Sequence, residues 1–293
     1  MIDETAEEIA DMQTHSSSVV AVNAARSLFE LLDREYPTVD EYLQSLERNS
    51  NALLRANRSH ASLHNTQRDI VESVRAAEPD SVDEAKEHTR TAIERVIQRV
   101  ETSKRRASEE AVSLLSDAET LLTHDYSTTV LSAIARTVEA GAEFTVYVTE
   151  ARPRYLGRKM VRRLAEFDSV EACLLVDSAS GNYLPECDRV VVGMDCIVED
   201  TLYNRVGTYP IAATAADVGV PVTVLGSSAK LIDSGFDFEN EYRVKSEVML
   251  EPAEGFDIVN PAYDATPTRL LDSVVTDKGI IEPRGEHSAE GEN

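Results

Sequence analysis

The first 140 residues carry apolar side chains at the spacing of amphipathic helices. Apolar positions recur at i, i+3, i+4 and i+7, which places them on one face of a helix with 3.6 residues per turn. Two stripes follow this rule: Ile93, Val96, Ile97 and Val100, and then Leu114, Leu115, Ala118, Leu121 and Leu122. The pattern predicts about five helices in this part of the chain.

Two of the predicted helices have recognisable start signals. Thr38 is followed three residues later by Glu41, and Ser81 is followed by Glu84 in the same way. A hydroxyl and a carboxylate at this spacing fit a capping box, which satisfies backbone N–H groups that have no partner at a helix start. We therefore expect one helix to start at Thr38 and another at Ser81.

The second half alternates between short apolar runs and helix-like stretches. The predicted strands are FTVYVTE (144–150), ACLLVDS (172–178), RVVVGMD (189–195) and PVTVLGS (221–227), and the predicted helices are YLGRKMVRRLAEF (155–167) and GTYPIAATAADVG (207–219). Near-continuous apolar strands that alternate with helices are typical of a parallel sheet buried on both faces. The sequence thus predicts an α/β structure for this half.

The turn-forming residues divide the chain at the same place. The first of 12 glycines is Gly141, and Pro37 and Pro79 are the two prolines that come before Pro153. Glycine and proline interrupt regular structure, so their distribution separates an all-helical front from a strand-and-turn back.

The chain is strongly acidic, with 29 Lys and Arg residues against 53 Asp and Glu residues and a net charge of −24. Such a surface repels phosphate backbones, which argues against direct binding of nucleic acid. An acidic interaction tail would concentrate the charge, but here it is spread along the chain, and six of the 29 basic residues are lysine. Dispersed acidic residues and scarce lysine favour a host with a high-salt cytoplasm, where salt screens self-repulsion.

Several classes of protein are excluded at this point. No window is as long and apolar as a membrane span, and the acidic start MIDETAEEIADMQ is unlike a signal peptide. Three cysteines without a CxxC motif do not form a disulfide framework, so we expect a reduced, cytoplasmic protein. His60 and His64 lack the glutamate and third ligand of a zinc hydrolase motif. We expect neither a metal nor a cofactor.

Polar residues end each of the predicted strands, and this suggests a ligand cleft. The strand ends carry Glu150, Asp177, Asp195 and Ser227. Ligands of open parallel sheets bind just beyond the carboxyl ends of the strands, so these four side chains are candidates for one site. Arg152 and Arg154 also follow a strand end, where they either bind an anion or pair with acids such as Glu150.

The segment 190–212 concentrates groups that suit an anion site. Gly193 and Asp195 lie at a strand end, and Asn204 and Arg205 come just before a helix that starts near Thr208. A guanidinium beside the N–H groups of a helix start can bind a phosphate.

Two further segments leave two interpretations open. Lys230 follows the next strand, as either a ligand or a solvated lysine, and THDYSTTVLSAIA (123–135) provides either an anion site or a helix cap.

Five segments in order resemble one protein family. They are THDYSTTVL (123–131), TEARPRYLGRKMVRRLAE (149–166), VVVGMDCIVEDTLYNRVGTYPIA (190–212), GSSAKL (226–231) and NPAYDATPTRLLDSVVTDKGI (260–280). The family contains the alpha, beta and delta regulatory subunits of eukaryotic initiation factor 2B. It also contains isomerases of ribose-1,5-bisphosphate and of 5-methylthioribose-1-phosphate.

The resemblance implies an α/β protein with a helical N-terminal domain and a Rossmann-like, parallel-sheet C-terminal domain. We place the helical domain at residues 1–115, the Rossmann-like ligand-binding domain at 116–282 and a disordered acidic tail at 283–293. The family forms dimers or higher oligomers, so a homo-oligomer is expected.

The resemblance also assigns candidate site residues. Asp195 matches the catalytic aspartate of the ribose-1,5-bisphosphate isomerases, and Asp125 stands where those enzymes have a cysteine base. The phosphate ligands implied by the family are matched by Arg58, Ser127, Asn204, Arg205 and Lys230, whereas an Arg-Gly phosphate clamp is replaced by His15-Ser16.

The residue at position 125 decides the functional expectation. A cysteine at a helix start becomes a thiolate that abstracts protons, whereas a carboxylate there is stabilised as an anion and is a weaker base. We therefore expect a non-catalytic protein that binds a translation initiation factor or senses a phosphorylated sugar or nucleotide. The alternative is a divergent aldose–ketose isomerase that uses Asp195 together with Asp125.

Overall fold

A computed structural model describes residues 2–10, 17–56, 60–232, 236, 238–251 and 254–283. The chain divides into two compact units. Residues 1–102 with 229–239 form the helical unit, and residues 103–228 with 240–293 form the sheet unit. The boundary falls within the long helix that ends at Leu115, the residue at which the sequence analysis places the end of the helical domain. Residues 284–293 of the tail expected to be disordered lie outside the described residues.

Five α-helices cover most of the described residues before position 116. They are α1 (Ile2–Ala10), α2 (Ser17–Ser27), α3 (Val39–Ala56), α4 (Ala61–Ala76) and α5 (Val82–Leu115). Leucine, isoleucine and valine side chains from these helices form the core of the helical unit. The hydroxyl of the fully buried Tyr42 donates a hydrogen bond to Thr89 Oγ1 at 2.8 Å, so this core also contains a satisfied polar contact.

The predicted helix starts are confirmed. The backbone N–H of Glu41 donates to Thr38 Oγ1, and that of Glu84 donates to Ser81 Oγ, each at 3.2 Å. The Glu84 carboxylate accepts a bond from the backbone N–H of Asp80, one residue before the position expected for a capping box.

The sheet unit is built on a seven-stranded sheet. Its strands are β1 (Thr120–His124), β2 (Phe144–Thr149), β3 (Val170–Leu175), β4 (Arg189–Gly193), β7 (Val222–Leu225), β10 (Ser273–Thr276) and β11 (Gly279–Ile281). The order across the sheet is β11-β10-β7-β4-β1-β2-β3. All neighbours are parallel except β10 and β11. The helices between the strands are α6 (Thr128–Glu139), α7 (Gly157–Leu164), α8 (Ser180–Tyr183) and α9 (Thr208–Val218).

The predicted α/β fold and its four strands are confirmed, because the runs at 144–150, 172–178, 189–195 and 221–227 contain or overlap β2, β3, β4 and β7. Both helices predicted between these strands are also present, as α7 and α9. No helix among the described residues combines the length and the apolar character that crossing a lipid bilayer demands.

The helical interpretation of the stripe at 114–122 is wrong in its second half. Helix α5 ends at Leu115, and Leu121 and Leu122 lie fully buried on β1, between β4 and β2. The carboxylate of Asp188 accepts hydrogen bonds from the backbone N–H groups of Glu119 and Thr120 at 2.9 and 2.8 Å. Pairing with neighbouring strands therefore overrides a local spacing that also suits a helix.

A smaller antiparallel sheet completes this unit. It contains β5 (Cys196–Val198), β6 (Thr201–Arg205) and β9 (Tyr263–Pro267), with β6 paired to both others. The remaining short strand, β8 (Leu231–Ile232), belongs to the segment grouped with the helical unit. Because β6 ends at Arg205 and leads directly into α9, the smaller sheet fixes the position of that arginine.

Candidate functional site

The order in which strands are added to the sheet reverses between the parallel neighbours β1 and β4. From β1 the chain continues to β2 and β3 on one side, and it then returns to β4, β7 and β10 on the other side. Such a switch point opens a crevice at the carboxyl ends of the two central strands, where ligands of open parallel sheets bind. Asp125 directly follows β1, and Asp195 follows β4 by two residues, so the two predicted catalytic carboxylates lie on either side of this crevice.

Arg205 lies between the two carboxylates. Its Nε atom is 3.5 Å from Oδ2 of Asp125 and 3.7 Å from Oδ2 of Asp195, and each of the three side chains is no more than 20% exposed. Burial by itself would lower the pKa of the guanidinium, but the negative charges around it, of which Asp195 acts most strongly, outweigh this and raise the pKa. Arg205 is therefore held as a cation that partly neutralises two acids.

The aromatic ring of Tyr263 lies under the same guanidinium. The Cζ atom of Arg205 is 4.9 Å from the centre of the ring, which is a cation–π distance. Burial, together with the negative charge of Asp195, raises the pKa of the Tyr263 hydroxyl. The Nη1 atom of Arg205 is buried and has no hydrogen-bond partner among the described residues, so this guanidinium retains an unused donor.

His124 anchors the turn that carries Arg205. Its Nδ1 lies 2.7 Å from Thr149 Oγ1, and its Nε2 lies 2.8 Å from the carbonyl oxygen of Val206. Gly207 has a φ of 113°, and a Cβ atom there would lie 2.6 Å from Cε1 of His124. Glycine at position 207 therefore allows the histidine ring to contact the turn directly.

Ser127 occupies the narrow space between the ends of β1 and β4. It is the N-cap of α6, and its Oγ accepts a hydrogen bond from the backbone N–H of Val130 at 3.3 Å. A Cβ atom on Gly193 would lie 2.7 Å from this oxygen, so only glycine fits there. The structure thus shows Ser127 as a helix cap at the crevice, and its predicted role as a ligand remains a prediction.

The start of α9 is already occupied by a carboxylate of the chain. Asp264 accepts hydrogen bonds from the backbone N–H groups of Gly207 and Tyr209, at 2.7 and 3.0 Å. The amide of Asn204 is buried and donates to Thr208 Oγ1 at 3.0 Å. The N–H groups that the sequence analysis associates with a phosphate at this helix start therefore bind Asp264.

A pocket opens beside Asp125 and Arg205. Its other charged lining residues are Arg152, Arg154 and Arg243. The loop that carries the first two is held by Asp177, whose carboxylate accepts hydrogen bonds from the backbone N–H groups of Ala151 and Arg152, both at 2.7 Å. Asp177 is thus a structural residue of the crevice wall.

Three residues around the pocket adopt left-handed backbone conformations without being glycine. Asp125 has a φ of 64°, Ala151 one of 57° and Tyr155 one of 59°. Such conformations are costly for residues that carry a Cβ atom, and they concentrate at functional sites. The unusual backbone at position 125 supports a functional role for this carboxylate.

The other predicted ligands belong to the helical unit or fall outside the described residues. Lys230 ends the turn Ser228–Lys230 and belongs to the segment 229–239 of the helical unit. Arg58 and the pair His15-Ser16 lie outside the described residues. Within the described part of the chain, no three His, Cys, Asp or Glu side chains are grouped so that they could hold a metal ion.

Tyr263 and Arg243 are site residues that the sequence patterns did not indicate. Tyr263 lies in the resembling segment 260–280, but nothing in that segment indicates its contact with Arg205. Arg243 lies in a segment without recognisable periodicity or motif, so no signal in the sequence identifies it.

Comparisons with known proteins place these features in context. A model of the initiation factor 2 subunit family matches residues 13–283. A protein from Haloterrigena turkmenica named ribose 1,5-bisphosphate isomerase is 31% identical over an alignment of 298 positions. The alignment covers 95% of this chain and 89% of that protein. A protein of the same name from Methanocaldococcus jannaschii is 29% identical, with coverages of 97% and 92%.

A solved structure has the same fold over nearly its whole length. The translation initiation factor eIF-2B from Pyrococcus horikoshii superposes with a TM-score of 0.79 at 24% identity, and the match covers 96% of this chain and 97% of that one. At this level of identity the similarity establishes the fold alone.

The expectation of a non-catalytic protein is wrong, because similar proteins over nearly the full length of the chain are named isomerases. That expectation treated Asp125 as an isolated negative charge at a helix start. In the structure Asp125 lies beside the Arg205 cation, and Ser127 rather than Asp125 caps the helix. The negative charge at position 125 is therefore partly neutralised by Arg205.

Proposed function

Because this chain belongs to the initiation factor 2 subunit family, we propose that it is an aldose–ketose isomerase that converts ribose 1,5-bisphosphate into ribulose 1,5-bisphosphate. One observation carries the proposal: two carboxylates, Asp125 and Asp195, lie on one buried guanidinium at the switch point of the sheet. The names of the similar proteins supply the substrate class.

The reaction requires only proton transfers within the substrate. The bond between C1 and the ring oxygen breaks, and the ring oxygen gains a proton. C2 loses its hydrogen as a proton, C1 gains one, and the 2-hydroxyl loses its proton to become the ketone. Two protons are taken up and two are released, so no oxidant or further reactant is needed, and two carboxylates are sufficient to exchange them.

Each of the two carboxylates is assigned a different proton transfer. We assign Asp125, in the position of the family's cysteine base, to the transfer of the carbon-bound proton between C2 and C1. Asp195 exchanges protons with the ring oxygen and the 2-hydroxyl. Arg205 contacts both carboxylates, and its cation stabilises the negative charge that develops on the substrate oxygens in the enediol-like intermediate.

The wider ligand set remains part of the proposal. Ser127, Asn204 and Arg205 lie around the switch point, and the first two support the backbone there. Arg58 and Lys230 stay predicted phosphate ligands on the basis of the resemblance. We also retain the cytoplasmic location and the high-salt host, which the acidic composition supports.

The decisive assay follows the substrate directly. The protein is incubated with ribose 1,5-bisphosphate in molar potassium chloride, and ribulose 1,5-bisphosphate is measured. Removal of a general acid or base lowers the rate about 10² to 10⁴-fold, and we expect this loss for Asp195→Asn and for Asp125→Asn. The matched control is Asp217→Asn, an exposed acid on α9, which should retain full activity.

A second readout identifies the proton transfers. In deuterium oxide, a carboxylate that exchanges its proton with solvent leaves deuterium on C1 of the product, whereas a direct hydride shift does not. A folded wild-type protein that forms no ribulose 1,5-bisphosphate would contradict the proposed function. Full activity of Asp195→Asn would contradict the assignment of the site.

We further propose that the protein forms at least a dimer through the sheet unit. Five large apolar side chains between residues 242 and 259 are more than half exposed: Tyr242, Val244, Leu250, Phe256 and Val259. Exposed apolar groups in such number are typical of an interaction surface. Light scattering in high salt should give at least the dimer mass, and Leu250→Asp should reduce it, whereas Val218→Asp on α9 should not. A monomeric wild type would overturn this part.

A further inference from the structure

The pocket beside Asp125 has a charge that contrasts with the rest of the chain. Four arginines line it, namely Arg152, Arg154, Arg205 and Arg243, whereas Asp125 is the one carboxylate among the described lining residues. The chain as a whole has 53 acidic against 29 basic residues. A reversal of this ratio at a single concave site indicates a place where an anion binds.

Two of these arginines lie close to a carboxylate. The Nε atom of Arg154 is 3.8 Å from Oε1 of Glu247, and that of Arg243 is 3.6 Å from Oε1 of Glu241. The second carboxylate oxygen of Glu241 is buried without a hydrogen-bond partner among the described residues. The contact between Arg243 and Glu241 is therefore not the two-pronged contact that arginine prefers.

The guanidinium of Arg243 also has an unsatisfied donor. Its side chain is 8% exposed, and its Nε is buried without a hydrogen-bond partner among the described residues. A buried donor that is not satisfied costs free energy, and an acceptor oxygen of a ligand would remove that cost. Arg243 lines the pocket, where an oxygen-rich anion can approach its guanidinium.

The arginines also crowd one another. Burial, followed by the positive charge of Arg243, lowers the pKa of Arg154, and the charge of Arg205 acts in the same direction. Several cations held close together in an acidic protein repel each other until an anion lies among them. A phosphate group, with two negative charges and three acceptor oxygens, meets this requirement.

We propose that Arg154 and Arg243 bind one phosphate group of the sugar bisphosphate, in a subsite separate from the Asp125–Arg205–Asp195 group. This inference rests on the proposed function, because the subsite shares its pocket with Asp125 and Arg205. A sugar with one phosphate in this subsite presents its reacting carbons to the two carboxylates. The subsite thus makes the enzyme selective for the bisphosphate over a monophosphate.

The test uses Arg154→Gln, because Arg154 is partly exposed and its replacement leaves the core intact. The matched control is Arg163→Gln, which removes the same charge from the exposed surface of α7. Binding of inorganic phosphate is measured by calorimetry at constant salt. Loss of a charge-assisted hydrogen bond predicts binding weaker by about tenfold or more for Arg154→Gln and unchanged binding for Arg163→Gln.

Kinetics separate recognition of a phosphate from a structural role. For Arg154→Gln, kcat/KM with ribose 1,5-bisphosphate should fall about tenfold or more. With one of the two monophosphates, ribose 1-phosphate or ribose 5-phosphate, it should be unchanged, because that substrate lacks the recognised group. Arg243→Lys keeps the charge without the forked geometry and should lose less than Arg243→Gln.

The outcomes distinguish this inference from the proposed function. Equal losses for the bisphosphate and both monophosphates, or wild-type phosphate binding by Arg154→Gln, would overturn the subsite. Phosphate binding that depends on Arg154 in a protein without isomerase activity would support the subsite and refute the proposed function.

Discussion

Replacement of Arg205 by methionine tests whether the two carboxylates form one electrostatic unit. The variant keeps most of the side-chain volume and removes the charge that lies 3.5 Å from Asp125 and 3.7 Å from Asp195. At an effective dielectric constant of about 20, each of these contacts corresponds to a Coulomb attraction of about 4 to 5 kcal/mol. The cost of removing the charged groups from water offsets much of this attraction.

The net effect follows from what remains after the substitution. Two carboxylates, each less than one-fifth exposed, would share a crevice without a counter-charge. Removal of one partner from a buried ion pair costs about 3 to 5 kcal/mol, and we expect Arg205→Met to lower the free energy of unfolding by this amount. Its isomerase activity should fall together with that of the aspartate variants.

A double-mutant cycle makes the prediction specific to the pair. Asp125→Asn alone should destabilise the protein, because it leaves Arg205 with one carboxylate. In the Arg205→Met background, Asp125→Asn should cost nothing or restore about 1 to 2 kcal/mol, since it removes repulsion between like charges. The coupling energy should therefore exceed about 1.5 kcal/mol.

The assay is urea unfolding at constant molar potassium chloride, with equal m-values as the sign that the unfolding reaction is unchanged. Arg163→Met, which disrupts the exposed pair with Glu166, is the control and should change stability by less than about 1 kcal/mol. A loss below about 1 kcal/mol for Arg205→Met, with additive effects of the two substitutions, would refute the coupling of Asp125, Arg205 and Asp195.

Three further predictions concern the supporting structure. Gly207→Ala should lower the free energy of unfolding by at least about 2 kcal/mol and lower activity, because φ is 113° and the new Cβ would meet the His124 ring. The control is Gly219→Ala, at a φ of 80° in open space, which should lower the free energy of unfolding in urea by only about 1 to 2 kcal/mol. Burial raises the pKa of Tyr42 to about 12, so stability should decline as pH rises from about 10 towards 12. Tyr42→Phe should make this decline smaller, whereas Tyr263, whose pKa burial also raises, still contributes to it. Two backbone hydrogen bonds lower the pKa of Asp188, so Asp188→Asn should lower the free energy of unfolding by about 1 kcal/mol at neutral pH and by less as pH falls below about 4. An equal loss of stability at both pH values would exclude the charge of Asp188 as the cause.

Local patterns were sufficient for most of the secondary structure. The strands that end before Asp195 and Ser227 follow from runs of β-branched residues, because a strand buried on both faces consists almost entirely of such side chains. The helix starts at Thr38 and Ser81 follow from cap chemistry, which depends on residues three positions apart. Both signals lie within a few residues, so the sequence alone contains them.

The first strand of the sheet shows where local patterns are insufficient. Leu121 and Leu122 continue a helical spacing, yet they lie on β1, because this segment is held between two strands that are distant in sequence. Pairing between distant segments has no local signature, so the periodicity was compatible with two structures and tertiary contacts selected one.

The sequence by itself determined the family, the helical first part of the chain, four strands of the sheet with two of the helices between them, and the identity of Asp125, Asp195 and Arg205 as candidates. Only the tertiary structure decided that these side chains meet, because β1 and β4 are neighbours in the sheet and β6 brings Arg205 to their ends. It also changed the chemistry. A carboxylate at position 125 is an uncompensated anion when considered alone, whereas in the structure it lies 3.5 Å from a buried guanidinium, and in the proposed function it is one member of an acid–base pair. The charge of a side chain is set by its sequence, but its reactivity depends on which other charges the fold places within a few ångströms of it.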